Sequence, residues 1–415
     1  MQYGLIGEKL GHSFSKEIHE LLAGYQYELR PLSQAEFPAF MQQADFAAIN
    51  VTIPYKELVI PYLAEVDEQA AKIGAVNTIV KRDGCLCGYN TDFAGVVYLL
   101  KNHGIDLNGR NVLILGTGGT SKTVRAVAES QGAAAISFVS RNGGQQANWL
   151  DYQQAAAQRD VQVIINTTPR GMYPQNGEQP LLDLAAFPRL EAVVDVIYNP
   201  LRSNLVLQAQ ALGLQACGGL EMLVAQAKYA AELFCGQPIA EAAIDEVYRR
   251  LRRQKLNLAL IGMPGCGKST VGRLLAERLG RPLLDCDKEI VRRSGQAIAD
   301  IFAEQGEAKF RQIESQTLAD IAKEGGQVIA CGGGVVLRPE NIQALRQNSL
   351  LIWLDRPLEQ LAVGKGRPLS PNPEANRLLY QQRAPLYQQY ADYRQACAQT
   401  PAETVELLVE YWQTI

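Results

Sequence analysis

One glycine-rich segment restricts the possible folds of this 415-residue chain more than any other feature of the sequence. Residues 262–269 read GMPGCGKS and match the pattern G-x-x-x-x-G-K-[ST] at every fixed position. The apolar run LNLALI precedes the segment and the helical pattern VGRLLAERLG follows it, which predicts a strand, a loop and a helix. In such a loop backbone N–H groups bind phosphates, the lysine neutralises phosphate oxygens and the hydroxyl ligates Mg²⁺. The predicted ATP-binding residues are Gly265, Cys266, Gly267, Lys268, Ser269 and Thr270.

A second apolar run, NVLILGTGGT, also ends in glycines, near residue 115. Glycines at such a point let the pyrophosphate of a dinucleotide approach the backbone at the positive end of a helix. The next strand, AISFVS, is followed by an arginine instead of the acidic residue that would bind the ribose of NAD. An arginine there suits the 2′-phosphate of NADP, and a surface arginine after a strand is the alternative. The predicted NADP site comprises Gly116, Thr117, Gly118, Gly119, Thr120, Ser140 and Arg141.

Short apolar runs alternate with helical stretches around both loops, which predicts an α/β protein built of parallel βαβ units. The chain is longer than the usual single hydrophobic core, so we expect at least two domains. The segment EAAIDEVYRRLRRQKLN separates the two patterns, and we place the boundary there, with domains over 1–248 and 255–415 and a linker at 249–254. We interpret its basic cluster as the solvated end of a helix rather than as a patch for RNA or membrane.

The composition points to small-molecule partners. With 47% hydrophobic and 20% charged residues and a net charge of -3, the chain has no overall attraction for nucleic acid or for an anionic membrane. No run approaches the ~20 apolar residues of a membrane span, and the first residues lack a secretory signal. Eight scattered cysteines fit free thiols in a reducing compartment. We expect a cytoplasmic protein, whose oligomeric state does not follow from the sequence.

Several polar motifs around the first glycine loop form an ordered set: GHSFS, INVTIPYK, GAVNT, GYNTD, NTTP, DVIYNP and GLEMLVAQ. Each alone could be a turn or a helix cap. Together they resemble those of shikimate dehydrogenases over about residues 1–248. The resemblance implies an α/β substrate domain, at about 1–92 with C-terminal helices at about 220–248, and a Rossmann domain at about 93–219. It also implies NADPH-dependent reduction of 3-dehydroshikimate to shikimate.

By this resemblance Lys56 and Asp92 are the catalytic pair, because an ammonium held by a carboxylate can protonate the oxygen that hydride transfer leaves negative. The other residues that it implies are Ser13 and Ser15 at the substrate carboxylate, Thr52, Asn77, Gln226 and Tyr198 at the ring, and Gly219 at NADP. The chain departs from the family pattern at Lys16 and Glu20, near the substrate motif, and at Ser140-Arg141-Asn142, near the cofactor motif.

A second ordered set of motifs follows the P-loop: LLDCDKEI, GQAIADIFAEQGEAKFRQIE, CGGGVV, GRPL and RAPLY. The guanine-reading motif N-K-x-D of GTPases is missing from this part of the sequence. The set resembles that of shikimate kinases over about residues 255–400. The resemblance implies a fold like that of nucleoside monophosphate kinases, with a parallel sheet, and ATP-dependent phosphorylation of shikimate to shikimate 3-phosphate.

The same resemblance implies roles at the phosphoryl-transfer site. Ser269 and Asp285 would ligate Mg²⁺, while Asp287 would bind and polarise the attacking hydroxyl. Arg311 and Arg383 would hold the substrate carboxylate, to which a planar guanidinium is well suited.

Three further residues complete the site that the resemblance implies. Glu314 would orient Arg311, and Gly333 would let the backbone approach the substrate ring. Arg367 would bind ATP and stabilise the transferring phosphoryl group from a lid. This lid is shorter than is usual in the family and has Ser370 where a leucine is common.

Three alternatives remain open at this point. One half could be a non-catalytic binding module. The two enzymes could act on other substrates, which would be quinate for the first and gluconate or a nucleoside monophosphate for the second. The chain could also be purely structural, in which case it would bind neither nucleotide. The residues Lys56 with Asp92 and Lys268 with Asp287 are all present and favour two active enzymes.

Overall fold

The computed structural model describes residues 1–11, 13–144, 148–174, 176, 181–362 and 372–415. The chain divides into two units, Met1–Arg250 and Leu251–Ile415. Strands and helices alternate through both units, which confirms the predicted α/β class. Within the described ranges we find no helix that is both long enough and apolar enough to cross a membrane.

Unit 1 begins with a mixed six-stranded sheet. Its strands are β1 (Tyr3–Gly7), β2 (Glu28–Pro31), β3 (Ala48–Val51), β4 (Glu65–Val66), β5 (Thr78–Arg82) and β6 (Cys85–Tyr89), in the order β2-β1-β3-β5-β6-β4. Its helices are α1 (Ser15–Ala23), α2 (Phe37–Gln43), α3 (Glu68–Ile73) and α4 (Thr91–Asn102). Strands β1 and β3 are parallel neighbours. The loops that follow them, with the motifs GHSFS and TIPYK, therefore leave the same edge of the sheet.

In the second sheet of unit 1 each pair of neighbouring strands is parallel. Its strands are β7 (Asn111–Leu115), β8 (Ala135–Val139), β9 (Trp149–Leu150), β10 (Val163–Asn166), β11 (Ala192–Asp195) and β12 (Gln215–Cys217), in the order β12-β11-β10-β7-β8-β9. The helices of this part are α5 (Gly119–Ser130), α6 (Tyr152–Ala156), α7 (Asn204–Ala211) and α8 (Leu220–Cys235). Helix α9 (Ala242–Lys255) begins in unit 1 and ends in unit 2. Read from β9, the strand order is 3-2-1-4-5-6, which is that of the Rossmann fold.

Strand β7 shows why these strands read as continuous apolar runs. Val112 and Ile114 belong to one buried cluster, whereas Leu113 and Leu115 belong to another. Successive side chains of a strand point to opposite faces, so both faces of this sheet are covered. The glycine loop leaves the carboxyl end of this central strand.

Unit 2 contains a parallel five-stranded sheet. Its strands are β13 (Asn257–Ile261), β14 (Leu283–Asp285), β15 (Val328–Ala330), β16 (Ser349–Asp355) and β17 (Tyr393–Ala396), in the order β14-β15-β13-β16-β17. Its helices are α10 (Lys268–Leu279), α11 (Cys286–Ser294), α12 (Ile298–Ile321), α13 (Pro339–Asn348), α14 (Pro373–Tyr390) and α15 (Pro401–Thr414). The P-loop follows the central strand β13, as the sequence predicted.

Two helices differ from a simple reading of the sequence. Residues 249–254, which we predicted to be a linker, are helical and lie in α9. The amphipathic pattern continues through them, and the basic residues suit the negative end of a helix. Helix α12 is interrupted at Gly306, whose backbone (φ 78°, ψ 170°) is not helical.

Candidate active sites

In unit 1 a buried ion pair joins the loop after β3 to helix α4. Lys56 Nζ lies 2.6 Å from Asp92 Oδ2, and the two side chains are 13% and 8% exposed. The Lys56 carbonyl accepts the N–H of Val76 at 2.8 Å, and the Asn90 side chain caps α4 two residues before Asp92. The two residues predicted to be catalytic are therefore in contact. The lysine proton is held beside a carboxylate in a site with little water.

Two predicted ring-binding residues that are 149 positions apart meet near this pair. Asn77 Nδ2 donates to Gln226 Oε1 at 3.4 Å and to Thr91 Oγ1 at 3.1 Å, while Asn77 Oδ1 accepts the N–H of Thr91 at 2.8 Å. Helices α4 and α8 can approach closely because Gly95 has no side chain, since a Cβ there would lie 2.9 Å from the Met222 carbonyl oxygen. The amides of Asn77 and Gln226 thus form one polar surface next to Asp92.

A buried polar network that the sequence analysis missed supports Asn77 from behind. Asn50 Nδ2 donates to Thr78 Oγ1 at 3.1 Å and to the Asn77 carbonyl at 3.3 Å, and Asn50 Oδ1 accepts the Tyr27 hydroxyl at 2.7 Å. The His19 ring stacks on Tyr27 with centroids 4.2 Å apart, and burial lowers the pKa of His19 to about 3. The signal for this network was an asparagine in the otherwise apolar strand β3.

The paired serines lie together. The Ser13 hydroxyl donates to Ser15 Oγ at 3.1 Å and accepts the Ser15 N–H at 3.2 Å. Phe14, between them, packs against Tyr198 with ring centroids 5.2 Å apart. Burial raises the pKa of Tyr198, so its hydroxyl remains a hydrogen-bond donor. The serine pair and Tyr198 of the Rossmann part therefore lie in one region, joined by the contacts of Phe14. The predicted substrate site requires this proximity.

Three other residues near the substrate motifs have clear structural partners. Thr52 donates its N–H to the Ile6 carbonyl at 2.9 Å, which places it at the sheet edge described above. Lys16 and Glu20, the two departures from the family pattern, face each other at 3.9 Å on one side of α1 and are partly exposed. Glu20 Oε1 also accepts the N–H of Tyr27 at 3.3 Å. The two departures thus offset each other's charge.

The first glycine loop has the geometry that a dinucleotide pyrophosphate needs. Gly116 has φ 109°, which favours glycine, and a Cβ there would lie 2.7 Å from Thr167 Oγ1. Helix α5 starts at Gly119 without a side-chain cap. A Cβ at Gly119 would lie 3.5 Å from Cβ and Cδ of Lys56. The glycine-lined, uncapped helix end fits the phosphates of NADP and borders the lysine.

A second arginine, Arg170, lies in the surroundings of Tyr152 together with the predicted NADP residue Arg141. Burial raises the pKa of Tyr152, and the nearby cations Arg170 and Arg141 oppose this shift. The sequence analysis missed Arg170, which follows the NTTP motif after β10. The Ser140 hydroxyl donates to the Gly143 carbonyl at 2.8 Å and so shapes the turn that carries Arg141. Both arginines therefore act on the same tyrosine, and Arg141 is the cation that we predict at the 2′-phosphate.

Gly219 has a packing role that the prediction did not include. A Cβ there would overlap the carbonyl of Val196, so only glycine fits at the start of α8. The Gly219 N–H donates to the Ile197 carbonyl at 2.8 Å. Its contact with NADP stays a prediction.

Asp195, at the end of β11, is a fully buried carboxylate behind the cofactor loop. It accepts hydrogen bonds from the Ser203 hydroxyl, from Asn166 Nδ2 at 2.9 Å and from the Ile197 N–H at 3.1 Å. Burial raises the pKa of Asp195 from 3.8 to about 6. Asn166 in turn accepts the Thr168 hydroxyl at 2.7 Å, so the network fixes the NTTP segment next to Gly116.

Asp195→Asn is expected to reduce the pH dependence of the stability of unit 1. The folded protein holds the Asp195 proton more tightly than the unfolded chain does, so stability falls as the pH rises from 3.8 through about 6. The size of the fall is roughly 3 kcal/mol. Asparagine keeps the acceptor for Ile197 and Asn166 without the charge. Urea titrations at several pH values, in the transition that removes dehydrogenase activity, would measure this dependence. The exposed Asp106→Asn is the control, and equal slopes in both variants would contradict the assignment.

In unit 2 the P-loop has the backbone conformation that its glycines allow. Gly262, Gly265 and Gly267 have φ values of 144°, 81° and 104°, all in the region that favours glycine. Lys268 is buried, and its Nζ donates to the carbonyls of Gly262 and Met263 at 2.9 Å each. Helix α10 begins at Lys268 without a side-chain cap, so its first N–H groups suit the phosphates of ATP.

Two aspartates lie at the carboxyl end of β14. Asp285 caps α11 by accepting the Lys288 N–H at 3.3 Å. The Asp287 residue is exposed, and a Cβ at Gly332 would lie 3.3 Å from its Oδ1 and 2.7 Å from Glu314 Oε1. Loss of hydration and the charge of Asp285 raise the pKa of Asp287, while Lys268 and Arg311 oppose the shift. Asp287 thus lies at Gly332 together with Glu314, the predicted partner of Arg311, where a base for a hydroxyl of the acceptor is expected.

The residues predicted for Mg²⁺ are oxygen donors, as this ion prefers. Ser269 is exposed in the first turn of α10, and Asp285 is partly exposed at the end of β14. Among the residues that the structure describes, we find no cluster of three or more His, Cys, Asp and Glu side chains that could hold a metal. Mg²⁺ commonly uses one or two protein ligands together with nucleotide phosphates and water, so a serine and an aspartate fit it.

Arg311 is buried between carboxylates and glycines. Its Nη1 donates to Glu314 Oε2 at 2.7 Å, and the two side chains are 8% and 2% exposed. A Cβ at Gly334 would overlap the Arg311 guanidinium, and one at Gly332 would lie 2.7 Å from Glu314 Oε1. Glu314 therefore orients Arg311 as predicted, and the glycine run gives it room.

Arg383 and Gly333 lie on the other side of this cluster. Arg383 is 3% exposed, and its Nε has no hydrogen-bond partner among the described residues. The Tyr387 hydroxyl donates to the Gly333 carbonyl. A Cβ at Gly333 would lie 2.7 Å from the ring of Pro264 in the P-loop. The phosphate-binding loop and the predicted substrate arginines thus meet at one glycine run.

Gly334→Ala is expected to raise the KM for the phosphoryl acceptor about tenfold, because the new methyl group displaces the Arg311 guanidinium from its hydrogen-bonded position. The backbone of Gly334 (φ -99°) accepts alanine, so the effect isolates the contact. The KM for ATP should not change. Gly272→Ala is a suitable control, since the nearest contacts of its Cβ are the ends of Leu283 and Leu260. Equal KM values for the acceptor in both variants would contradict this role of Gly334.

Residues 363–371 of the predicted lid, among them Arg367 and Ser370, lie outside the described residues. The role of Arg367 in ATP binding and phosphoryl transfer stays a prediction.

The fold and the two sites define a chain that combines a Rossmann oxidoreductase with a P-loop phosphotransferase. Residues 5–79 match the family model of the shikimate dehydrogenase substrate binding domain, and residues 264–413 match the family model of shikimate kinase. The chain belongs to the shikimate dehydrogenase family and carries a shikimate kinase domain as its second unit.

Shikimate dehydrogenases from other organisms are similar to the first three-fifths of the chain. A shikimate dehydrogenase (NADP(+)) of Clostridium perfringens is 32% identical over 266 residues, which cover 60% of this chain and 98% of the relative. One of Halothermothrix orenii is 36% identical over 273 residues, with 58% and 94% covered.

Solved structures agree with this assignment. A chorismate mutase/shikimate 5-dehydrogenase fusion protein from Clostridium acetobutylicum is 34% identical, covers 60% of this chain and 96% of its own, and has a TM-score of 0.56. Shikimate 5-dehydrogenase from Thermus thermophilus, in complex with NADP(H) and shikimate, is 29% identical, with 60% and 99% covered and a TM-score of 0.54.

Proposed function

We propose that unit 1 reduces 3-dehydroshikimate to shikimate with NADPH and that unit 2 then phosphorylates shikimate with ATP to give shikimate 3-phosphate. The product of the first reaction is the acceptor of the second. The names of the relatives support shikimate and NADP in unit 1, and the matching kinase model supports ATP and Mg²⁺ in unit 2. We further propose that the boundary between the dehydrogenase and the kinase domain lies within residues 249–254. We also propose a cytoplasmic location, in keeping with eight free thiols.

In unit 1 the contact between Lys56 and Asp92 carries the proposal. NADPH, when bound at the loop 116–120, supplies the hydride. As the substrate carbonyl gains the hydride, Lys56 donates a proton to its oxygen, and Asp92 keeps the ammonium in position at 2.6 Å. The neighbouring amides of Asn77 and Gln226 bind ring hydroxyls, and the serine pair binds the carboxylate. Substrate and lysine proton are thereby brought together before the hydride transfer.

In unit 2 the position of Asp287 beside Glu314, which pairs with Arg311, carries the proposal. ATP with Mg²⁺ supplies the phosphoryl group. Asp287 accepts the proton of the attacking hydroxyl, and its raised pKa makes it a better base than an ordinary aspartate. Lys268 exchanges its contacts with two P-loop carbonyls for phosphate oxygens and stabilises the charge that develops there. Arg311 and Arg383 hold the acceptor by its carboxylate.

The test supplies 3-dehydroshikimate with NADPH, then ATP and Mg²⁺, and follows NADPH oxidation and shikimate 3-phosphate separately. Both signals are expected from one purified chain. Shikimate added directly should be phosphorylated without NADPH. Oxidation of NADPH without phosphorylation of added shikimate would overturn the kinase half of the proposal, and the reverse result would overturn the dehydrogenase half. Quinate and NADP⁺, in the reverse direction, test the alternative substrate.

A further inference from the structure

Helix α12 places a second carboxylate against Arg311 that the proposed mechanism does not use. Glu307 Oε1 accepts hydrogen bonds from Arg311 Nε at 3.2 Å and from Arg311 Nη2 at 3.1 Å. The third nitrogen, Nη1, is bound by Glu314. The Arg311 guanidinium is therefore occupied along two sides, one by each glutamate, and the side bound by Glu307 presents two nitrogens in the arrangement that suits a carboxylate.

The two glutamates differ in their burial. The Glu314 side chain is 2% exposed, whereas that of Glu307 is 48% exposed, and Arg311 between them is 8% exposed. Glu314 cannot leave without exposing a buried charge pair. Glu307, in contrast, can exchange Arg311 for water at small cost, because half of its side chain is already solvated. Glu307 is thus the exchangeable partner of Arg311 and Glu314 the permanent one.

Glu307 also faces the second arginine of the proposed carboxylate site. Burial lowers the pKa of Arg383, and the charge of Glu307 is close enough to oppose this shift. Arg383 Nε is buried and has no hydrogen-bond partner in the part of the chain that the structure describes. The Glu307 carboxylate therefore lies near both cations that would hold the acid group of the acceptor, with one donor still free.

A break in α12 lies directly before Glu307. Gly306 interrupts α12 directly before Glu307, with a backbone (φ 78°, ψ 170°) that a side chain would strain. Nothing lies within 4 Å of a Cβ built at Gly306, so the surroundings are open there. Glu307 begins the second helical segment beside this open space, and a rotamer change is enough to withdraw its carboxylate from Arg311.

We propose that Glu307 is a placeholder carboxylate, which occupies Arg311 in the absence of acceptor and is exchanged for the carboxylate of shikimate. This inference rests on the proposed kinase function. The exchange keeps the Nε and Nη2 donors of Arg311 hydrogen-bonded at all times, while Glu314 keeps Nη1. It also favours acids over neutral polyols, because only an anion recovers the interaction that Glu307 gives up. The placeholder lowers the apparent affinity for shikimate, since the competent state is one in which Glu307 has withdrawn.

The test compares the wild type with Glu307→Gln and Glu307→Ala at saturating MgATP. The KM for shikimate is expected to fall about fivefold in both variants, a change in keeping with loss of a half-exposed ion pair that competes with substrate. The KM for MgATP should not change. Glu277→Gln is the control, because Glu277 pairs with Arg273 at 2.7 Å and with the same spacing of four residues on an exposed surface. If Glu307 merely supported Arg311, the KM for shikimate would rise or stay constant, and either result would overturn the inference.

Calorimetry without ATP supplies a second readout. The Kd of shikimate is expected to fall by the same factor as the KM, whereas the Kd of the neutral analogue with a hydroxymethyl group in place of the carboxylate should stay near its wild-type value. An equal gain for the analogue would show that no carboxylate is exchanged and would overturn the inference. A wild-type chain that phosphorylates shikimate while the Glu307 variants fail these tests leaves the proposed function intact. A wild-type chain that does not phosphorylate shikimate would overturn both the proposed kinase function and the inference about Glu307.

Discussion

Replacing Lys56 by alanine is expected to lower the kcat for reduction of 3-dehydroshikimate about a thousandfold, because positioned proton transfer contributes between a hundredfold and ten-thousandfold to such steps. Water cannot easily replace the ammonium, since the lysine and Asp92 side chains are only 13% and 8% exposed. NADPH oxidation at saturating substrate measures the effect. The rate of shikimate phosphorylation by the same preparation should equal that of the wild type.

Two further variants separate chemistry from stability. Lys56→Ala leaves Asp92 buried and unpaired, which destabilises a protein by about 3 to 5 kcal/mol. The double variant Lys56→Met with Asp92→Asn removes both charges, so it should fold more stably and remain inactive. Lys72→Ala is the matched control, since Lys72 and Glu68 form an ion pair of the same 2.6 Å length but are 75% and 83% exposed. A double variant with wild-type kcat would exclude Lys56 as the proton donor.

The sequence predicted well those parts of the fold that depend on neighbouring residues in the chain. Strands β7 and β13 are buried on both faces, so they appear as unbroken apolar runs, and the glycines after them occupy backbone conformations that other residues avoid. Residues 249–254, the predicted linker, contain the boundary between the two units and are helical. The basic cluster was interpreted as the end of a helix, and Arg252, Arg253 and Lys255 do lie in the last turn of α9.

The arrangement of the candidate sites depends on contacts that a local pattern does not contain. Asn77 and Gln226 meet only because Gly95 allows α4 and α8 to approach. Their spacing in the sequence does not predict this contact, and only the resemblance to a family assigned both residues to one site. Glu307 lies four residues before Arg311, which by itself predicts an ordinary surface pair. The burial of Arg311 comes from the packing of Gly334, a contact that no spacing rule predicts.

Replacing Lys268 by alanine is expected to lower the kcat/KM for phosphorylation of shikimate about a thousandfold and to leave the dehydrogenase unchanged, because removal of a group that stabilises developing charge costs between a hundredfold and a thousandfold. The Lys268 amine donates to the carbonyls of Gly262 and Met263, so it is held within the loop that is predicted to bind the phosphates. The formation of shikimate 3-phosphate from added shikimate measures the loss.

The P-loop lysine also has a structural contact, which a second variant separates from catalysis. Alanine at this position leaves two loop carbonyls without their donor, whereas Lys268→Arg keeps a cation but cannot place a compact charge at the same point. Both variants should lose phosphorylation, and only the alanine variant should lower the unfolding temperature of unit 2. Lys323→Ala is the control, since Lys323 pairs with Asp320 at 3.5 Å away from the P-loop sequence. Loss of both activities from a Lys268 variant with wild-type stability would contradict two independent sites. If Lys268 acts on the phosphates of ATP, its variants lose phosphorylation and keep the dehydrogenase activity.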